Sequence, residues 1–159
     1  MTTSATAAAK PLGNAAALRA LVGADALVSE WLTIDQASVG RFAEATGDHQ
    51  WIHVDPERAR RESPFGGAIA HGFLTLSLIP GLLDKTATLE QRMGVNYGLN
   101  RVRFTSPVLV GSQLRASFAV QSVTDVDDAG VQVVWNVTLE RQGSERPACV
   151  AEFITRHYF

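Results

Sequence analysis

The two halves of the chain carry different hydrophobic periods. In the C-terminal half apolar and polar positions alternate. Val102 and Phe104 interleave with Arg101 and Arg103, and Leu114, Ala116, Phe118 and Val120 with Arg115, Ser117 and Gln121. Val131, Val133, Trp135, Val137 and Leu139 form a third series, and residues 148–156 a fourth, less regular one. A period of two marks strands with one buried face. The connections at 125–130 and 142–147 are short and rich in turn residues, which makes the strands antiparallel neighbours.

The N-terminal half reads as helices. Residues 14–22 are Ala/Leu-rich and stop at Gly23. Residues 27–32 suit a first strand. Thr33 and Gln36 have capping-box spacing, and Val39, Phe42 and Ala43 then share one helical face up to Gly47, which leaves Asp48 in a loop. Asp55 followed by Pro56 reads as a cap with proline at the first helical position, opening a charged helix over 57–62. From Ala70 to about Leu83 the chain is apolar nearly all round: Leu74, Leu76, Leu78, Ile79, Leu82 and Leu83. Such a helix is surrounded by protein, and Pro80 within it predicts a kink or an early end. A wholly apolar helix followed by a meander of half-buried strands is best satisfied when the sheet wraps the helix. The expected class is α+β: a hot-dog fold, an antiparallel sheet around a central apolar helix.

Length and composition narrow the picture. The 159 residues suit one domain, expected over 13–159 behind a flexible tail at 1–12. The net charge of −2 gives no basic excess for nucleic acid or a membrane surface. The longest apolar run, 73–83, is too short and too interrupted to span a bilayer. Cys149 stands alone, so no disulfide forms within the chain, and the N-terminus lacks the basic and apolar regions of a secretory signal. A reducing cytoplasm is the expected compartment. The four histidines lack metal-ligand spacing, so no metal is expected.

Candidate chemistry lies between the helices. Asp48 and His53 are five residues apart in a loop. A water held between them is polarised from both sides: the carboxylate accepts its proton as general base, and the imidazole orients it or passes a proton to the neighbouring carbon. The spacing alone equally suits turn and capping residues. Gly72 opens the apolar helix, where unpaired N–H groups face a developing oxyanion, and where glycine also permits tight helix–sheet packing. His71 beside it contacts either a ligand or the Asp48 loop. Asn96 and Tyr97 border the site or simply enter a strand. Arg101 and Arg103 read as outer-face residues, and Cys149 as an inert buried thiol.

Several stretches resemble the MaoC-like dehydratases, which include the (R)-specific enoyl-CoA hydratases. They are Thr46-Gly47-Asp48 with His53, Val54, Asp55 and Ala59, and Ala70-His71-Gly72-Phe73-Leu74. The segments His49-Gln50-Trp51-Ile52, Pro64-Phe65-Gly66-Gly67 and Gly94-Val95-Asn96-Tyr97-Gly98 are similar to the nodulation-protein-N-like branch. The resemblance runs from about Val28 to Phe159. It implies a hydratase that adds water to trans-2-enoyl thioesters to give (R)-3-hydroxyacyl thioesters, or the reverse. Asp48 and His53 hold the water, the Gly72 amide binds the thioester carbonyl, and Gln50, His71, Asn96 and Tyr97 stand near the substrate. It also implies a homodimer joined through sheet edges, an acyl-CoA or acyl-carrier thioester as substrate, and no cofactor. Two positions depart from the family pattern: Gln50 and Trp51 replace Asn-Pro, with Trp51 expected to shape the acyl tunnel, and Pro80 stands where some members carry a serine. A thioesterase and a non-catalytic acyl-thioester binder are the competing readings of the fold.

Overall fold

A computed structural model describes residues 9–159. The chain runs through β1 (Lys10–Pro11), α1 (Ala15–Arg19), β2 (Leu27–Val28), β3 (Leu32–Thr33), α2 (Gln36–Thr46), α3 (Trp51–Val54), α4 (Pro56–Glu62), α5 (Gly72–Ser77), α6 (Ile79–Thr86) and β4 (Ala87–Thr88). Four long strands follow: β5 (Met93–Phe104), β6 (Gln113–Val126), β7 (Gly130–Arg141) and β8 (Cys149–Tyr158). The main sheet has the order β2-β6-β7-β8-β5, with β3 also on β6, and every pairing in it is antiparallel. The alternation read over 114–120 and 131–139 is the inward face of this sheet, whereas on the edge strand β5 Val102 is only half-buried and Phe104 is exposed.

Local chemistry sets the helix ends. Asn14 and Asp55 accept the N–H groups of Ala17 and Arg58, capping α1 and α4. The cap of α2 is Asp35, which accepts the Ser38 N–H, so the expected Thr33–Gln36 box does not form. A carboxylate one residue before the helix is the nearer partner, and it frees the Gln36 side chain. The expected single helix at 70–83 is two. Helix α5 ends at Leu78 and α6 restarts with Pro80 in its first turn, where a missing N–H costs nothing.

The core lies between this broken helix and the sheet. Ile79, Leu82 and Leu83 pack with Phe118, Val133, Trp135, Val137 and Phe153. The helix is not enclosed on every side, since Phe73 is 69% exposed. Of the expected tail, residues 1–8 lie outside the described residues. Lys10–Pro11 pairs in parallel with Ala87–Thr88, and Leu12 is buried in the core. The ordered domain therefore begins earlier than residue 13, because an apolar side chain and two unpaired backbone groups find partners there.

Strand β5 is the sheet edge and carries a bulge. Asn96 pairs with Thr155 and Gly98 with Ile154, leaving Tyr97 as the extra residue. A bulge re-aims the side chains beyond it. Asn96 and Leu99 thus both face inward, although they are three residues apart.

Candidate active site

Helix α2 ends at Gly47, whose left-handed φ of +78° lets its N–H return to the Ala43 carbonyl. A side chain at this φ is strained, which is the reason for glycine. The chain turns sharply and presents Asp48, an exposed residue whose Oδ1 accepts a long hydrogen bond of 3.4 Å from the Gln50 N–H. His53 sits on the single turn of α3 and is buried. Its backbone carbonyl accepts a hydrogen bond of 2.7 Å from Gln36 Nε2, which ties α3 to the start of α2.

The His53 ring has a defined tautomer. Its Nδ1 lies 2.6 Å from the carbonyl oxygen of Ile69. A carbonyl only accepts, so the hydrogen resides on Nδ1, and Nε2 of the neutral ring carries a lone pair. Burial, the largest influence, lowers the His53 pKa below the ordinary imidazole value. The Ile69 bond raises it, neighbouring His71 lowers it, and Asp48 raises it. The net direction is down, so the ring is neutral at neutral pH.

Asp48, His53 and His71 come together, with one polar atom from each within 4.8 Å of the other two. The two imidazoles are stacked, centroids 3.8 Å apart and planes 25° apart. Planes so nearly parallel do not meet within a metal–nitrogen bond of about 2 Å, so the pair does not converge on an ion. His71 is 2% exposed; its Nε2 donates to the backbone carbonyl of Asp48 at 2.9 Å, and Phe42 packs against its other side.

Asp48 forms part of the wall of a cleft of about 560 Å³. Phe42, Phe73, Leu76, Ile79, Pro80, Leu99 and Phe153 make it mainly apolar, with Thr46, Ser77 and Asn96 as the further polar residues. A mainly apolar groove with a few placed polar groups suits a ligand with a hydrocarbon part and one polar centre.

The remaining expected residues fall in different places. Asn96 is on the cleft wall, aimed there by the β5 bulge. Tyr97 is not on that wall: as the bulge residue it is 55% exposed, and the Arg156 guanidinium lies 3.5 Å from its ring centroid. Gln50 caps α3 with no side-chain bond and does not line the cleft. Trp51, expected to shape the tunnel, instead lies under Arg58, 4.4 Å from ring centroid to guanidinium. Gly72 is the first residue of α5, and a Cβ there would stand 2.9 Å from the Phe104 ring, so close packing by itself demands glycine. Gln36 and the Ile69 carbonyl were not evident from sequence. Gln36 is absorbed into a capping pattern, and a backbone carbonyl carries no residue signature.

Among the described residues no helix is long and apolar enough to cross a membrane. Comparison with known proteins agrees with the fold and the motifs. Residues 18–142 match the family model of the MaoC like domain. The chain is 50% identical over 145 residues to 3-hydroxyacyl-thioester dehydratase Z of Mycobacterium tuberculosis, covering 91% of this chain and 95% of that protein. It is 48% identical over 136 residues to nodulation protein N of Rhizobium leguminosarum bv. viciae, covering 84% of each. Among solved structures, a monoamine oxidase regulatory protein from Archaeoglobus fulgidus superposes with a TM-score of 0.72 at 25% identity, over 85% of this chain and 90% of that one. With the sheet wrapped around α5 and α6, and the matched region spanning most of the chain, this protein is a hot-dog-fold enzyme of the MaoC-like dehydratase family.

Proposed function

We propose that this enzyme interconverts 3-hydroxyacyl thioesters and trans-2-enoyl thioesters with loss or gain of water, and that Asp48 and His53 handle the proton. The observation that carries the proposal is the meeting of a carboxylate on the wall of a mainly apolar cleft with a buried neutral imidazole that is not itself on that wall. The relative named for dehydration of 3-hydroxyacyl thioesters supports the substrate class.

The tautomer of His53 refines the roles expected from sequence. With Nδ1–H engaged by Ile69, Nε2 is the free acceptor. In dehydration Nε2 takes the α-proton of the 3-hydroxyacyl thioester. The C–H electron pair forms the Cα–Cβ double bond as the Cβ–O bond breaks. The departing hydroxyl takes the proton from Nε2 and leaves as water, and the reverse sequence hydrates the enoyl thioester. Asp48 accepts a hydrogen bond from that hydroxyl or water and stabilises the imidazolium. Removal and delivery from one face give a syn reaction, and the (R) configuration of the hydroxy product, also part of this proposal, follows from which face of the enoyl thioester meets the dyad. The Gly72 amide, at the start of α5, is the donor assigned to the thioester carbonyl, and Asn96 the polar contact on the opposite strand. Coenzyme A or a carrier protein bears the acyl group, and no cofactor enters the chemistry.

A homodimer belongs to the same proposal. Strand β5 is a 12-residue sheet edge with Met93, Val95, Tyr97, Leu99 and Phe104 exposed. Such an edge is prone to promiscuous pairing unless covered, and a second copy joined through β5 covers it.

The test is hydration of trans-2-enoyl-CoA substrates of graded chain length, followed by loss of the conjugated absorbance. Asp48→Asn and His53→Ala should each lower turnover on the order of 10²–10⁴-fold. Release of free thiol without hydration assigns a thioesterase instead. Binding without turnover over the whole panel assigns an acyl-thioester binder.

A further inference from the structure

The three residues before α5 hold both halves of the proposed dyad. Ile69 accepts the His53 Nδ1–H through its carbonyl and donates its own N–H to the Ile52 carbonyl at 3.0 Å, so α3 is tied to this segment twice. Ala70 donates to the Val108 carbonyl, which anchors the segment to the loop before β6. His71 then reaches back 23 residues to the Asp48 carbonyl.

We infer that His71 is a positioning residue: through its Nε2–H to the Asp48 backbone and its stack on His53, it sets the distance between the acid and the base. This rests on the reading of Asp48 and His53 as the dyad. Three observations support it. Among the described residues the Asp48 carboxylate has only one long bond to hold it, from Gln50 two residues away, so loop placement must come from the backbone. The side chain that grips that backbone is almost completely buried, pressed between His53 and Phe42. A grip on a main-chain carbonyl fixes Asp48 without consuming either of its carboxylate oxygens. The Nδ1 of His71 is buried without a hydrogen-bond partner among the described residues, so the ring stands there at the cost of an unmet acceptor. A purely space-filling role would be served better by phenylalanine.

The substitutions separate the bond from the stack. His71→Phe keeps an aromatic ring on His53 and removes the donor. His71→Gln keeps a donor at the reach of Nε2 and removes the ring. With a trans-2-enoyl-CoA as substrate for hydration, His71→Phe should lower kcat on the order of 10- to 100-fold with KM within about threefold of the parent, as expected for sub-ångström misplacement of reacting groups. His71→Gln should recover kcat to within about fivefold of the parent, since a donor to the carbonyl is restored. The second readout is independent of catalysis: amide hydrogen exchange of residues 47–50 should accelerate in His71→Phe and return toward the parent rate in His71→Gln. Parent-like kcat and exchange in His71→Phe overturn the inference, as does a glutamine variant no better than phenylalanine in both readouts while melting at the parent temperature. If the parent turns over no thioester on the panel yet the exchange pattern holds, the functional reading fails and the loop-holding role of His71 stands.

Discussion

His157 makes the protein sensitive to acid through its stability. The ring is buried between β7 and the segment leading into β5. Nδ1 lies 2.6 Å from Gln91 Oε1, and Nε2 lies 2.7 Å from Thr155 Oγ1. Thr155 Oγ1 already accepts the Trp135 indole N–H at 2.8 Å. Its own hydrogen is thus available to Nε2, and the neutral ring with hydrogen on Nδ1 satisfies every member of the chain. Burial pushes the pKa of His157 from 6.5 down to about 4. The unfolded chain therefore binds a proton in this window that the folded chain refuses, so stability rises as pH climbs from about 4 to 6.5 and is complete above it. At about 1.4 kcal/mol per pH unit, the loss on acidification across that window is about 3 kcal/mol, a large part of a small domain's stability. The perturbation is His157→Gln, which removes the titration at the expense of about 1–3 kcal/mol at neutral pH from the altered hydrogen bonds. Urea unfolding followed by tryptophan fluorescence, repeated through the window on both proteins, cancels the carboxylates common to both. The parent's unfolding free energy minus the variant's should fall by about 3 kcal/mol on going to the acid end, closing the gap or reversing its sign. Parallel curves for the two proteins would refute the reasoning.

Other substitutions probe the remaining links. Gly72→Ala forces a methyl to within 2.9 Å of the Phe104 ring; overpacking of this kind should cost about 1–3 kcal/mol in unfolding free energy and displace the start of α5, lowering turnover together with stability. Asp55→Ala removes the cap on the Arg58 N–H and should lower stability by about 1 kcal/mol in the same unfolding assay, with substrate selectivity unchanged. Burial pushes the Cys149 thiol up to about 11, so a disulfide reagent at mildly alkaline pH should leave it unmodified until denaturant is added. Thr155→Val leaves the Trp135 N–H and His157 Nε2 without their shared partner and should destabilise by about 2–5 kcal/mol, seen as a lower urea midpoint.

Much of this architecture is legible in sequence because period-two alternation states which side of a strand is buried, and Val131 to Leu139 do so without ambiguity. The breaks are legible for the same kind of reason, since proline at 80 cannot donate a helical N–H and glycine at 47 enters the left-handed region that side chains avoid. The site is legible only where side-chain chemistry is itself the signal, as at Asp48 and His53. The tautomer of His53 depends on the Ile69 carbonyl, and every residue has a carbonyl. The choice of Asp35 over Thr33 as cap turns on a helix start that the pattern places only to within a residue or two. The separation of Asn96 from Tyr97 turns on a bulge in β5, which alternation does not announce because the edge strand is exposed on both faces. His157 is hidden differently: a histidine near the end of a strand gives no hint that a threonine two residues back and a glutamine 66 residues away will enclose it.

The most direct test of the neutral His53 base is the pH dependence of kcat/KM for hydration of a trans-2-enoyl-CoA. Activity should be level above pH 6.5 and fall about tenfold per unit only below it, because burial holds the His53 pKa under that value. Activity that instead grows as pH falls through 6.5 would mean that the charged ring is the working form, and would contradict the assignment.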